Sequence, residues 1–260
     1  MKLRREGTGL KEKRLRQILG ALQESKYLTV SQLAAKLAIS TSTLRRDLDE
    51  LVRRELVVRS KNGVIPASEM RTDTSVSFRT GVNAQAKVAI AKDAVKLIKS
   101  NSVIFLDSSS TVLNMANYLY RVPNVVVVTN SLMVVARLRG SSIPVYLIGG
   151  QMSERSHAFM GPLAEQAVLE YNFDYAFFSP VVITPQGYAA ETTVEAASMR
   201  KAALERAQCG VLLCDSSKIG QHRVYNLAHI NDFRYIVTDD PERPANTTAT
   251  VLRVKTGGLK

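Results

Sequence analysis

Thr29-Val30-Ser31-Gln32-Leu33-Ala34-Ala35-Lys36-Leu37-Ala38-Ile39-Ser40-Thr41-Ser42-Thr43-Leu44-Arg45-Arg46-Asp47-Leu48 decides the fold of the first quarter of this chain. Thr29 stands where a helix N-cap belongs, and Gln32, three residues on, completes a capping box. Leu33, Ala34 and Leu37 then form one apolar face, and Ala34-Ala35 allows close approach of another helix. A break at Ala38-Ile39-Ser40 leads to a third helix, expected from about Thr41 to Arg54 with Ser40 as N-cap. Leu44, Leu48, Leu51 and Val52 are expected to be its buried stripe.

Upstream, Leu15, Ile18, Leu19 and Leu22 make one face of a helix across Lys11–Glu24, with Lys13, Arg14, Arg16 and Gln17 on the other. Downstream, Leu56-Val57-Val58-Arg59 and Val64-Ile65 flank a turn at Lys61-Asn62-Gly63, a strong hairpin signal. Three helices, a short turn before the third and a β-ribbon after it describe a winged helix-turn-helix over residues 1–66. Its third helix presents Thr41, Ser42, Thr43, Arg45, Arg46 and Asp49 once the leucines are buried. Ser and Thr hydroxyls bond phosphates and base edges, and Arg takes a guanine bidentately or a phosphate. The wing adds Arg59 and Lys61 as expected backbone or minor-groove contacts. Asp47 and Glu50 would repel phosphates, so they are expected in pairs within the domain, for example Asp47 with Lys36. The competing reading is a small helical bundle with solvated arginines.

Charge favours nucleic acid. The 260 residues carry 35 Lys+Arg against 23 Asp+Glu, a net of +12, and the pI is near 9.8. Residues 1–66 hold 15 basic and 7 acidic side chains, a net of +8, and the rest only +4. A small basic module beside a near-neutral larger one is the footprint expected of a DNA-binding protein.

The hydrophobic fraction of 45% supports a sizeable core. No apolar run reaches the roughly 18 residues of a membrane span, and the charged N-terminus has no apolar core of a secretory leader. Two cysteines, Cys209 and Cys214, make neither a disulfide framework nor a four-ligand zinc site, and read as packing residues. The sequence contains no H-E-x-x-H, G-x-G-x-x-G or G-x-x-x-x-G-K-[ST]. A cytoplasmic protein without cofactor, metal or membrane partner is expected.

Residues 67–86, with Pro66 before them, Ser/Thr clustered at 72–77 and Gly81, are expected to be a linker lying on a surface through Val76 and Phe78. From Lys87 helices and apolar strands alternate. Strands are expected at Val103–Leu106, Val125–Val128, Val145–Ile148, Tyr175–Phe178, Val211–Cys214 and Tyr235–Val237, and a short one at Val251–Val254 before a Gly-Gly tail. Helices are expected after Lys87, after Asp107–Thr111, from Leu132 and near Val194–Ala207. Such alternation with continuous apolar strands indicates an open, mostly parallel α/β sheet over 87–260.

Ligands of such sheets sit at the carboxyl ends of strands. Those ends carry Asp107, Ser108, Ser109, Ser110 and Thr111; Thr129, Asn130 and Ser131; Gly149 and Gly150; and Asp215-Ser216-Ser217-Lys218. A hydroxyl-rich loop at a helix N-terminus cradles an anion. Lys218 adds positive charge, and Asp107 suits sugar hydroxyls. Singly, each is equally a cap, a turn or a solvated lysine; four such ends in one sheet point to a phosphorylated sugar or polyol. His157 reads as solvent-exposed. Glu191 and Glu195 read as residues near a helix start, with acid–base chemistry as the alternative.

The chain resembles the DeoR family of bacterial sugar-metabolism repressors over nearly its whole length. The resemblance is carried by Leu28–Ala34 with Thr43-Leu44-Arg45-Arg46-Asp47-Leu48, by Lys87 with Ile90-Ala91, by Asp107–Thr111, Val127–Ser131, Ile148-Gly149-Gly150 and Asp215-Ser216-Ser217-Lys218. It implies a sensor domain similar to ribose-5-phosphate isomerase, a sugar-phosphate effector and homo-oligomeric binding, as dimer or tetramer, to operator DNA. The chain departs from the family where Lys61-Asn62-Gly63-Val64 replaces a Gly-Gly wing and where Ser108 and Ser109 stand in a loop that usually holds a Gly. It departs again where Ser179-Pro180-Val181-Val182 follows Phe178 in place of Gly-Ala-Asp-Gly; the acidic residue the isomerase uses there is missing, which argues against an enzyme. The expected function is a repressor of a carbohydrate-utilisation operon, released by a phosphorylated sugar. The alternatives are an activator and a sugar-phosphate isomerase-like enzyme with a nucleic-acid-binding appendage.

Overall fold

A computed structural model describes residues 3–25, 27–53, 56–59, 63–66 and 76–255. The chain divides into two compact units, Met1–Thr74 and Ser75–Lys260.

The first unit runs α1 (Leu3–Ser25), α2 (Val30–Lys36), α3 (Thr41–Arg53), β1 (Val57–Arg59) and β2 (Val64–Pro66). Both halves of the capping box form: Gln32 N donates to Thr29 Oγ1 at 3.1 Å, and Thr29 N to Gln32 Oε1 at 2.9 Å. Ala38 takes φ 51°, a left-handed residue that turns the chain between α2 and α3. Ser40 Oγ accepts from Thr43 N at 3.2 Å and caps α3. Leu15, Ile18, Leu22, Leu33, Leu44, Leu48 and Leu51 make one core with Val57 and Val64. β1 and β2 pair antiparallel, Arg59 opposite Val64, so the ribbon is present. Lys61 and Asn62 lie outside the described residues.

Two details of this unit differ from the sequence reading. Val52 is 39% exposed, and Asp47 is 2% exposed in its stead. On a wheel of about 100° per residue Asp47 and Val52 flank the leucine stripe almost equally; α1 covers the Asp47 side and brings Arg14. Asp47 therefore pairs with Arg14, Nη2 to Oδ1 2.9 Å, and Lys36 pairs with Glu24 at 2.9 Å.

The second unit begins inside the expected linker. α4 (Val76–Gly81) and α5 (Ala84–Val95) occupy much of residues 76–95. Val76 is 1% exposed and its N–H donates to Arg155 O at 2.9 Å, so the stretch is packed structure from residue 76 onward; 67–75 and the Phe78 side chain lie outside the described set. There follow β3 (Val103–Leu106), α6 (Ser110–Leu113), β4 (Val126–Thr129), α7 (Leu132–Leu138), β5 (Val145–Leu147), β6 (Gln151–Ser153), β7 (Ala158–Met160) and α8 (Pro162–Leu169). The chain ends with β8 (Tyr175–Phe178), β9 (Val182–Ile183), β10 (Tyr188–Glu191), α9 (Val194–Glu205), β11 (Gly210–Cys214), β12 (Tyr225–His229), β13 (Tyr235–Thr238) and β14 (Thr250–Arg253). The segment after α6, expected as one helix, continues as two 3₁₀ turns, Asn114–Asn117 and Leu119–Arg121.

Seven strands form one parallel sheet in the order β14-β13-β11-β8-β3-β4-β5. All expected strands of this sheet are present. One face is covered by a core holding Ile90, Ala94, Val112, Leu119 and Val134; the other by one holding Ala164, Val168, Met199, Ala203 and Phe233. The sequence reading did not anticipate the β6–β7 hairpin, α8 or the small sheet β12-β10-β9. From β3 the chain builds outward through β4 and β5, then returns to β3's other side with β8. The order reverses between β3 and β8, where open α/β sheets place ligands.

Candidate functional site

The head presents its polar residues on α3. Thr41, Ser42, Arg45 and Arg46 are exposed and Thr43 is half-buried. Thr43 Oγ1 lies 2.8 Å from Ser40 Oγ, within the cap. Arg59 of the wing folds onto α3: its guanidinium pairs with Asp49 at 2.8 Å and donates to the Arg45 carbonyl. Arg59 thus ties the wing to the helix that carries Arg45 and Arg46.

In the body, β11, β8, β3, β4 and β5 are consecutive neighbours, so their carboxyl ends lie side by side. Asp107 is 1% exposed and organises the centre. Its Oδ1 accepts from Ser109 N at 2.8 Å, and its Oδ2 from Ser179 N at 3.0 Å and Arg200 Nε at 2.9 Å. Those three donors take most of the acceptor capacity of a carboxylate expected to meet sugar hydroxyls, and they hold it in place. Ser109 caps α6, its Oγ accepting from Val112 N at 3.2 Å. Ser108, Ser110 and Thr111 are all under 5% exposed. Ser179 Oγ donates to Thr111 Oγ1 at 3.2 Å and accepts from Lys218 Nζ at 2.9 Å; Lys218 also donates to Pro180 O at 2.8 Å.

Thr129 Oγ1 donates to Leu106 O at 2.7 Å, which joins the ends of β3 and β4. Ser131 caps α7, accepting from Val134 N at 3.3 Å. Asn130 Nδ2 donates to Phe159 O of the hairpin at 3.0 Å, while its Oδ1 is buried without a protein partner. Gly149 and Gly150 are exposed at the turn from β5 to β6. Gly150 has φ +140°, and a Cβ there would sit 2.8 Å from Met160 O. The pair is accounted for as a tight turn under α8.

Positive charge gathers at these ends. Lys87, 3% exposed, donates to the Arg79 carbonyl at the end of α4. Burial, with Lys218 and Arg79 adding to it against Asp215, pushes its pKa down to about 7. Burial alone would raise Asp215, but Lys218, Ser217, Lys87 and Asn83 hold it below the usual carboxylate range. Asn83 Nδ2 donates to Asp215 Oδ1 and Ser217 Oγ, both at 2.9 Å.

Sequence reasoning missed Arg200 and Ser179 and misjudged Glu191. Arg200 lies on the apolar face of α9 among Ala196, Ala197, Met199 and Ala203, and a lone Arg on such a face was the available signal. It bonds Asp107 and also Glu191, Nη1 to Oε2 2.9 Å. Glu191 is 2% exposed at the end of β10, a buried ion-pair partner and not a residue of the helix start; Glu195 is the exposed acid of the first turn of α9. His157 is half-buried at φ 48° in the hairpin turn, and its carbonyl accepts from Leu132 N. Cys209 and Cys214 are buried in the two cores. Among the described residues no cluster of His, Cys, Asp and Glu suits a metal ion, and no helix is long and apolar enough to cross a membrane.

A winged helix-turn-helix joined to an α/β unit with a polar, cationic cluster at its topological switch is the build of a ligand-responsive transcriptional regulator. A model described as "DeoR-like helix-turn-helix domain" matches residues 14–69, and one described as "DeoR C terminal sensor domain" matches residues 82–240. The chain belongs to the DeoR family of transcriptional regulators. It is 29% identical to the transcriptional repressor AccR of Agrobacterium fabrum, over 87% of this chain and 88% of that one. It is 30% identical to the L-fucose operon activator of Haemophilus influenzae, over 85% and 89%. Among solved structures, a ribose 5-phosphate isomerase from Methanocaldococcus jannaschii aligns with 53% of this chain and 55% of its own, at 22% identity and TM-score 0.39.

Proposed function

We propose that this protein represses a carbohydrate-utilisation operon and is released from its operator when a phosphorylated sugar binds the strand-end cluster. The observation that carries this reading is the coincidence, at one sheet's switch point, of buried hydroxyls (Ser109, Ser110, Thr111, Ser179) with Lys87 and Lys218. A dianionic phosphate suits the lysines and the loop's N–H groups, and the sugar hydroxyls suit the uncharged polar side chains. The contributing residues are Ser108, Ser109, Ser110, Thr111, Thr129, Asn130, Ser131 and Lys218, with Asp107 holding the frame and Gly149-Gly150 shaping the adjoining turn.

The head reads DNA through Thr41, Ser42, Thr43, Arg45 and Arg46, with Arg59 and Lys61 on the wing. A homo-oligomer, dimer or tetramer, sets two heads on paired half-sites about one helical turn, or a multiple, apart. One relative is named as a repressor and another as an operon activator; the position of the operator sets the sign.

Fluorescence anisotropy on DNA from the protein's own promoter region, with competitor DNA at about physiological salt, tests the reading. Tight binding is expected, released by one member of a sugar-phosphate panel, with Lys218→Ala blunting the release. Binding that no panel compound alters would remove the effector; binding lost equally on any sequence as salt rises would remove the operator.

A further inference from the structure

We infer that Glu191 is a hydroxyl-recognition residue of the effector site, its Oε1 accepting a hydrogen bond from a hydroxyl of the sugar portion of the ligand. The inference rests on the reading of the strand-end cluster as the effector site and names a specificity residue within it. Glu191 does not belong to the seven-stranded sheet; it closes β10 of the small antiparallel sheet. Arg200 brings it to the strand ends. One guanidinium spans two carboxylates, Nε to Asp107 Oδ2 and Nη1 to Glu191 Oε2, each 2.9 Å, with all three side chains 8% exposed or less.

The two carboxylates differ in what is left over. Asp107 accepts from three donors on its two oxygens. Glu191 Oε2 has Arg200, but Oε1 is buried with no protein partner. A buried acceptor without a donor costs free energy that a ligand donor recovers on binding. Arg200 also fixes the orientation of the carboxylate, which preorganises Oε1. Burial pushes the Glu191 carboxyl up and Asp107 adds to the push, while Arg200 and Lys218 pull it back, so it shares the environment of the cluster.

The chemistry then sorts the two ends of a ligand. A phosphate dianion has no proton to offer and is repelled by the Glu191 and Asp107 carboxylates; it belongs with Lys218 and Lys87. A carboxylate acceptor demands a donor, which a sugar hydroxyl supplies. The effector therefore carries, away from its phosphate, a hydroxyl whose loss weakens binding by roughly 10–100-fold, the range for one hydrogen bond to a charged group.

Calorimetric titration of the full chain tests this. The probes are ribose 5-phosphate, glucose 6-phosphate and fructose 6-phosphate, each paired with its deoxy analogues. The proteins are wild type, Glu191→Ala and Glu191→Gln, with thermal melts to establish folding. In the Gln variant Arg200 claims the amide oxygen, so an NH₂ replaces Oε1 and the acceptor is lost without loss of volume. The expected result is a hydroxyl-over-deoxy preference in wild type that falls toward 1 in both variants, the hydroxylated compound losing more affinity than its deoxy partner. A wild-type protein that binds sugar phosphates with no deoxy preference overturns the inference. So does an unchanged preference in Glu191→Gln, or equal loss for both partners, which marks a structural role; the effector reading survives all three. A wild-type protein that binds no probe overturns the effector reading and this inference together.

Discussion

Arg14 on α1 holds Asp47 on α3, with Nη2 2.9 Å from Oδ1, at a carboxylate only 2% exposed. The acid of the Arg-Arg-Asp-Leu run thereby faces inward and leaves Arg45 and Arg46 outward on the same helix. Asp47→Ala strands the Arg14 guanidinium beside the leucine core. It is expected to destabilise the head by roughly 1–3 kcal/mol, measured by chemical denaturation, and to weaken DNA binding through the fold. Full stability in Asp47→Ala would show that the pair is dispensable.

Lys87 supplies a pH test. Its pKa is lowered to about 7, mainly by burial, so the folded protein holds fewer protons than the unfolded chain between about pH 7 and 10. Stability from this group therefore rises with pH across that window, and its burial penalty is fully present below pH 7. Lys87→Met removes the penalty. At pH 6 the variant is expected to gain on the order of a few kcal/mol relative to wild type, and the gain shrinks as pH climbs toward 10. Melting curves of both proteins at pH 6, 8 and 9.5 check it; a gap independent of pH would mean the lysine is not titrating where burial places it.

Gly150 combines φ +140° with a Cβ position 2.8 Å from Met160 O and 3.0 Å from Ala164 Cβ. Backbone strain and steric overlap both oppose a side chain there. Gly150→Ala is expected to cost roughly 1–3 kcal/mol in the body, whereas Gly149→Ala, whose Cβ meets nothing within 4 Å, costs little. Similar melting temperatures for the two variants would sink this contrast.

On DNA, Arg45→Ala and Arg46→Ala separate base reading from phosphate contact. A base contact costs about 1–3 kcal/mol and relaxes preference at one operator position. A phosphate contact weakens all sequences alike and lowers the salt slope by about 1. Arg59→Ala is expected to act differently, because its guanidinium pairs with Asp49 and bonds the Arg45 carbonyl. It loosens the wing on α3, and because its side-chain partner is Asp49, mutating Asp49 and Arg59 together should be non-additive. Strict additivity would make Arg59 an independent contact.

The sequence by itself determined the capping box at Thr29 and Gln32, the leucine stripe of α3 and the seven strands of the main sheet. Each of these is written in local chemistry, in periodicity, capping residues and continuous apolar runs. The strand ends were legible too, since a polar cluster after an apolar strand is a local pattern. Only tertiary structure decided which polar groups meet. Wheel geometry left Asp47 and Val52 balanced, and the placement of α1 chose Asp47 for Arg14. The short strands β6, β7, β9 and β12 carry no lasting periodicity and form only because partners lie beside them. Arg200 and Glu191 are nine residues apart, on a helix and a strand; the lone arginine on an apolar face signals a buried counter-charge, but nothing local marks Asp107 and Glu191 as the two carboxylates it bonds. A buried charge can be tolerated only where its counter-charges converge, and that convergence is a property of the folded sheet.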